Sequence, residues 1–273
     1  MPLANWRASR ELVALLIRHR HLAWVLARRE VADRYAGQFF GILWGFCHPL
    51  LQVAVFVFVF AVVFKVRLGS GDLGPDDYTV YLLAGLVPWL TVQESISRST
   101  TSITSQSSLV KQVVFPTEVL PVKIVLAAMG TQIVFLAAVL IYRLAAGHGL
   151  PWTFALVPLL LIVEAIGLIG LAMILGSIGV FFRDLKDLVQ VITLLGLYLV
   201  PVAYQPSMVP EAIRPFLWAN PFSYLIWCFQ DAIYYGSFEH PWAWPVLCFL
   251  SLFTFALGAR LFQNLKPIFG GVL

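Results

Sequence analysis

Residues 28–64 read RREVADRYAGQFFGILWGFCHPLLQVAVFVFVFAVVF, opening as a charged helix and closing as hydrocarbon fit for lipid. At about 100° per residue, Trp24, Ala27, Val31, Tyr35 and Phe39 share one apolar arc, with Glu30, Asp33, Arg34 and Gln38 opposite. Arg29 with Asp33 and Glu30 with Arg34 are i,i+4 ion pairs, each adding only tenths of a kcal/mol. Arg28 falls on the apolar arc, where its stem lies along lipid and its head reaches water. Such a helix rests in a membrane interface. Gly37, Gly41 and Gly45 permit a change of direction, and Pro49 sits just inside the apolar run that follows. A surface helix is thereby joined mechanically to a first membrane span, unless it is only an inert anchor.

The composition agrees. Of 273 residues, 60% are hydrophobic and 12% charged, with mean hydropathy +0.86. A soluble domain averages about 45–50% apolar and about 25% charged, and each helical crossing needs about 20 apolar residues. No short apolar core before a small-residue cleavage site marks a removable leader. Cys47, Cys228 and Cys248 sit in apolar stretches without metal-ligand spacing and read as packing residues.

Six apolar runs, about 44–65, 79–97, 119–142, 153–181, 188–204 and 242–262, predict an all-α integral membrane fold. The second is the weakest, because Glu94 and Arg98 lie near its end. Six crossings leave both termini on one side. Fourteen of the 18 Lys and Arg residues then share that side, and Lys65, Arg67, Arg143 and Arg214 the other. The positive-inside rule makes the first side cytoplasmic.

Residues 205–240 depart from simple crossing. The segment is too long for a turn and too apolar for a wet loop, and it holds Gln230 and Asp231. Two short helices, about 208–218 and 221–234, are expected to dip in from the outer side and meet at Ala219-Asn220-Pro221. Backbone at that depth needs protein or a watery cavity to satisfy it.

Two inner loops stand out. In 99–118, Ser107 or Ser108 can cap a short helix that Pro116 ends. FFRDLKD joins the fourth and fifth spans and is expected to be helical as well. Both are either ordinary interfacial anchors or docking points for a cytoplasmic partner.

Inside the membrane, Gln52, Phe56, Phe60 and Phe64 recur at i+4. This aromatic face either meets lipid and a neighbour or forms part of a sugar-sliding pore. Interfacial belts account for Trp89, Trp152, Trp242 and Trp244. Glu164 is the one carboxylate well inside a span, where a charge costs at least about 2.5–3.5 kcal/mol; a protonated or hydrogen-bonded structural role is the reading adopted. Ala165, Ala172, Gly176 and Gly179 mark close helix packing on the same helix. No G-x-x-x-x-G-K-[ST], H-E-x-x-H or G-x-S-x-G occurs, so if this chain moves something against a gradient, the motor sits on another chain. Asp76, Asp77, His148, Glu211 and Asp231 share no helical face that would suit a membrane glycosyl- or acyltransferase.

RYAGQFFGILWGFCHPLL, LLAGLVPWL, SSLVKQVVFPTEVLPV, GVFFRDLKD and NPFSYLIWCFQDAIYYG occur in the order seen in ABC-2 type polysaccharide export permeases, the membrane subunits of O-antigen and teichoic-acid transporters. The resemblance runs from about Arg28 to Gly236. It implies an N-terminal segment 1–43 with an interface helix, a transmembrane domain 44–263 and a short cytoplasmic tail 264–273. It also implies a bacterial inner-membrane complex of two copies of this chain with two ATPases, which hold the Mg-ATP. The substrate it implies is a polysaccharide on undecaprenyl diphosphate, with no nucleic-acid partner. By the same resemblance Gln52, Phe56, Phe60 and Tyr198 line the channel. Ser108, Leu109, Val110, Lys111, Gln112, Val113 and Phe115 form the first coupling helix, and Arg183, Asp184, Lys186 and Asp187 the second. Trp218, Asn220, Pro221, Tyr224 and Trp227 form a periplasmic gate. Arg28, Arg29 and Arg34 are candidate diphosphate contacts, since Arg forks suit phosphate oxygens, with headgroup anchoring as the alternative. An ABC-2 permease for a drug or a lipid is the nearest competing function.

Overall fold

The computed structural model describes residues 2–34, 41–63, 75–112, 115–145, 147 and 149–273, and every regular element among them is helical. Among the described residues, three rods are long and apolar enough to cross a membrane: α6 (Val119–Ala145), the stretch Trp152–Phe181, whose main part is α7 (Val157–Phe181), and α11 (Ala243–Val272). The two longest-packed partners, α7 and α11, lie backbone to backbone. A Cβ on Gly170 would stand 2.5 Å from the Thr254 carbonyl, and one on Gly258 would stand 2.3 Å from the Gly170 carbonyl. Further along α7, Gly179 faces the Thr100 carbonyl and Gly176 faces Ser102. Of the expected small-residue face, Gly176 and Gly179 make close approaches and Ala172 is buried.

α4 (Pro75–Ser99) fills the expected second span, and its polarity has a structural cause. Tyr78 through Val87 are almost wholly buried, because α6, α7, α8 (Leu185–Leu199) and α10 (Pro221–Gln230) surround this helix. A helix enclosed by protein need not be as apolar as one facing lipid. Trp89, expected in an interfacial belt, is 2% exposed and meets Phe222 edge-on at 5.8 Å. It belongs to the core.

α3 (Trp44–Val57) runs on as a π-helical stretch, Phe58–Val63, covering most of the expected first span. α8 (Leu185–Leu199) starts earlier and ends earlier than the expected 188–204. Its 15 residues measure about 22 Å at the α-helical rise, short of the ~30 Å hydrocarbon layer. Pro201 follows, and Val200 and Val202 turn inward with almost no exposure.

Between α8 and α11 the first expected short helix is reduced to a 3-10 turn at Pro206–Met208 and α9 (Arg214–Ala219). The second forms as drawn: α10 (Pro221–Gln230) continues through a π-helical turn, Asp231–Tyr235. Asn220 caps it by accepting from the Phe222 amide at 3.0 Å. Gly236, at φ 70°, closes it in the left-handed region that glycine tolerates.

Two N-terminal elements complete the fold. α1 (Pro2–Arg18) packs along α11, and α2 (Arg20–Arg34) packs on α6. No helix was expected over 2–18. The interface helix was expected to reach Phe39, but residues 35–40 lie outside the described set. Its buried face is Ala23 and Ala27, whereas Trp24 is 57% exposed. Small side chains let α2 sit close to α6. α11 extends through the C-terminal segment 264–273, with Phe269 buried against Phe181 and Phe262. Cys248 is exposed on α11 rather than packed.

Candidate functional site: a basic end, an aromatic end and a buried acid

The inner loops expected from charge counting gather at one end of the bundle. Glu30 of α2 accepts from Lys123 Nζ at 2.9 Å and lies 3.7 Å from Arg98. Lys123 is nearly buried there, so α2, α4 and α6 are tied at one point. The expected Arg29–Asp33 pair forms at 3.3 Å, both partners exposed. Arg28 is exposed; the Arg34 side chain lies outside the described residues. Glu118 accepts from Lys266 Nζ at 2.7 Å, joining the start of α6 to the end of α11.

α5 (Ser107–Gln112) forms where the first coupling helix was expected. Its start differs: a 3-10 turn, Thr104–Gln106, runs into it, and Ser107 is helical rather than a cap. Lys111 is exposed, while Val110 and Phe115 pack on the core at this end. Ser108 and Leu109 lie on α5 without a buried side chain; Val113 and the Gln112 side chain lie outside the described residues. The second loop is not a helix of its own. Phe182 is extended, Arg183 and Asp184 form a turn, and Lys186 and Asp187 already belong to the first turn of α8. With only that turn between α7 and α8, the backbone has no room for another helix. Phe182, inside the quoted FFRDLKD, is 66% exposed at the tip.

The opposite end is aromatic. Trp218 stacks on Trp242 with centroids 4.6 Å apart, and Trp227 stacks on His240 at 5.3 Å. Tyr224 meets Trp227 edge-on at 5.7 Å, and its hydroxyl donates to the Trp218 carbonyl at 2.6 Å. Asn220 and Pro221 form the joint beneath this cluster. Of the gate residues named from sequence, Trp218, Tyr224 and Trp227 therefore converge, with His240 and Trp242 as unforeseen members.

Under that cluster Asp231 is fully buried and collects three contacts. Its Oδ2 accepts from the His240 amide at 3.0 Å and from Trp244 Nε1 at 3.2 Å, and its Oδ1 lies 2.9 Å from His240 Nδ1. Trp242 and Trp244 are thus engaged by specific partners, not merely set in an interfacial belt. The π-helical turn frees carbonyls that a regular helix would use. Thr153 donates to the Ala232 carbonyl at 3.0 Å, and Arg143 Nη1 donates to that of Ile233. Tyr78 and Tyr81 donate to the carbonyls of Ala203 and Tyr204 at 2.9 and 3.0 Å. Gln230 reaches the Pro201 carbonyl at 2.9 Å. No described side chain here pairs a nucleophile with a base; the groups hold backbone segments together.

Between the ends, Glu164 is 2% exposed, and Gln132 of α6 donates to its Oε2 at 2.7 Å. At the edge of the bundle Tyr198 is 63% exposed on α8, and Gln52 is half-buried on α3. The side chains of Phe56 and Phe60 lie outside the described residues, as do Phe64 and His148 and the side chains of Asp76 and Asp77.

Comparison with known proteins decides the family. The ABC-2 type transporter family matches residues 21–234. The chain belongs to that family. Three curated relatives align over 91% of this chain and 93% of their own length. They are the O-antigen export system permease protein RfbA of Myxococcus xanthus, 30% identical over 252 residues, and two proteins of that name from Klebsiella pneumoniae, each 26% identical. As an ABC-2 chain the protein is a multi-pass membrane transport subunit that works with an ABC ATPase subunit, and it is not an enzyme. The transferase alternative falls with that assignment.

Proposed function

We propose that this chain is the permease of an ABC transporter that exports a lipid-linked polysaccharide of the O-antigen kind across the bacterial inner membrane. The observation that carries the reading is end-to-end similarity to three proteins named O-antigen export permeases. The carrier lipid is undecaprenyl diphosphate, and Mg-ATP is bound and hydrolysed on the partner subunits.

Two copies meet along the edge made by α3 and α8. In support, both helices pack on α4, and Leu50, Leu51 and Val55 of α3, Phe58 of its π-helical extension, and Leu188, Val191, Ile192, Leu194 and Leu195 of α8 are exposed. Gln52, Phe56, Phe60 and Tyr198 then face the channel. The chain crosses six times with both termini cytoplasmic: α4, α3 with its π-helical extension, and α8 together with residues 200–204 that follow it add to the three apolar rods. The pair α9 and α10 is re-entrant, and its Trp218, Asn220, Pro221, Tyr224 and Trp227 form the outer gate. The basic end faces the ATPase through residues 108–115 and 182–187. Arg28 and Arg29, exposed on α2, and Arg34 meet the diphosphate. Segment 1–43 is the interface region and 44–263 the transport domain.

Deleting the gene in its host tests this directly. Lipid-linked glycan should accumulate in the cytoplasmic leaflet and disappear from the cell surface, and a plasmid copy should restore export. Normal surface glycan, with a drug or phospholipid retained instead, would overturn the reading.

A further inference from the structure

Glu164 and Gln132 present a chemical puzzle that the transport reading leaves unused. Gln132 Nε2 donates to Glu164 Oε2 at 2.7 Å. The two oxygens left over, Glu164 Oε1 and Gln132 Oε1, are both buried, and neither has a partner. Both are acceptors in an ionised carboxylate and an amide. Gln132 is 1% exposed and Glu164 2%, so bulk water does not supply the missing donor. Among the described residues no neighbouring cation balances a negative charge. Glu164 borders a cavity of about 100 Å³ between α4, α7, α10 and α11, and among the described residues no Lys, Arg or His lines it. The polar side chains on its wall besides Glu164 are Ser251 and Thr254, and the Thr254 hydroxyl is spent on the Leu250 and Ser251 carbonyls.

We infer that Glu164 is a buried proton-binding site whose Oε1 holds a proton and shares it with Gln132 Oε1. One proton satisfies both orphaned acceptors at once. Together with the observed amide donor it closes a neutral acid–amide ring of two hydrogen bonds between α6 and α7. The ring removes the charge from the membrane interior and fastens the two rods there. Carboxylate and water are the competing occupants, since the cavity is large enough for a few water molecules.

Infrared spectroscopy of the purified full-length chain at neutral pH separates these. A protonated carboxyl gives a carbonyl stretch above the amide region. That band should be present in the wild type, absent in Glu164→Gln and moved to higher frequency in Gln132→Leu, where the shared proton loses its acceptor. Labelling glutamate with carbon-13 should shift the same band with no substitution at all, which keeps the test alive if Gln132→Leu does not fold. Glu164→Gln should also melt with the wild type, because its amide can both donate to and accept from Gln132. Three results would overturn the inference: labelling that moves only carboxylate stretches, a band that Gln132→Leu leaves in place, or Glu164→Gln that loses its fold.

Discussion

A single methyl group on Gly258 tests the α7–α11 crossing on which the bundle is built. An ideal Cβ there stands 2.3 Å from the Gly170 carbonyl oxygen and 2.9 Å from its carbon. Comfortable contact with carbon needs about 3.5–4.0 Å, so the two axes must part by about 1 Å or the backbone must bend. Overpacking of that kind costs about 1–3 kcal/mol. Alanine also helps any helix by about 1 kcal/mol relative to glycine, which would hide part of the loss. Gly130→Ala removes that ambiguity, because a Cβ on Gly130 meets nothing within 4 Å. Gly258→Ala should therefore melt below Gly130→Ala by the full steric term of about 1–3 kcal/mol, measured on the purified chain in detergent. The Gly170→Ala, Gly258→Ala double variant should lose less than the sum of its parts, since one widening of the crossing accommodates both methyls. If Gly258→Ala melts at or above Gly130→Ala, the close crossing is wrong.

Other outcomes follow from the same contacts. Asp231→Ala leaves up to three part-buried donors without their acceptor, each costing at most about 1–3 kcal/mol, so it should melt below Asp231→Asn, which keeps an acceptor and the shape. Lys123→Met removes a hydrogen bond to a charged group, a loss of about 1.5–3 kcal/mol. Hydrogen exchange should then speed up in α2 before it does in α6, and equal protection of both would count against the tie at Glu30. Phe182→Ala with Arg183→Ala should weaken ATPase docking by about 2 kcal/mol or more if the turn is an interface hot spot, read as loss of co-purification. Unchanged co-purification, with unchanged stimulation of ATP hydrolysis, would remove the 182–187 turn from the interface.

The amino-acid order determined what depends on local chemistry. Apolar run lengths settled that the protein is helical and lives in lipid, and the joint at Asn220-Pro221 was legible from its turn and capping residues, whereas the short helix before Pro116 formed without the serine cap expected for it. Five motifs in register named the family. Tertiary structure alone decided which apolar surfaces are spent on protein. α4 looks like the poorest span because it is ringed by other helices. Trp89 and Trp242 read as belt residues because hydropathy records how apolar a side chain is and not what it touches. Pairings such as Glu30 with Lys123, Asp231 with His240 and Glu164 with Gln132 join positions far apart on different helices or across a turn. No periodicity links such partners, and only the packing of the helices brings them within reach of one another.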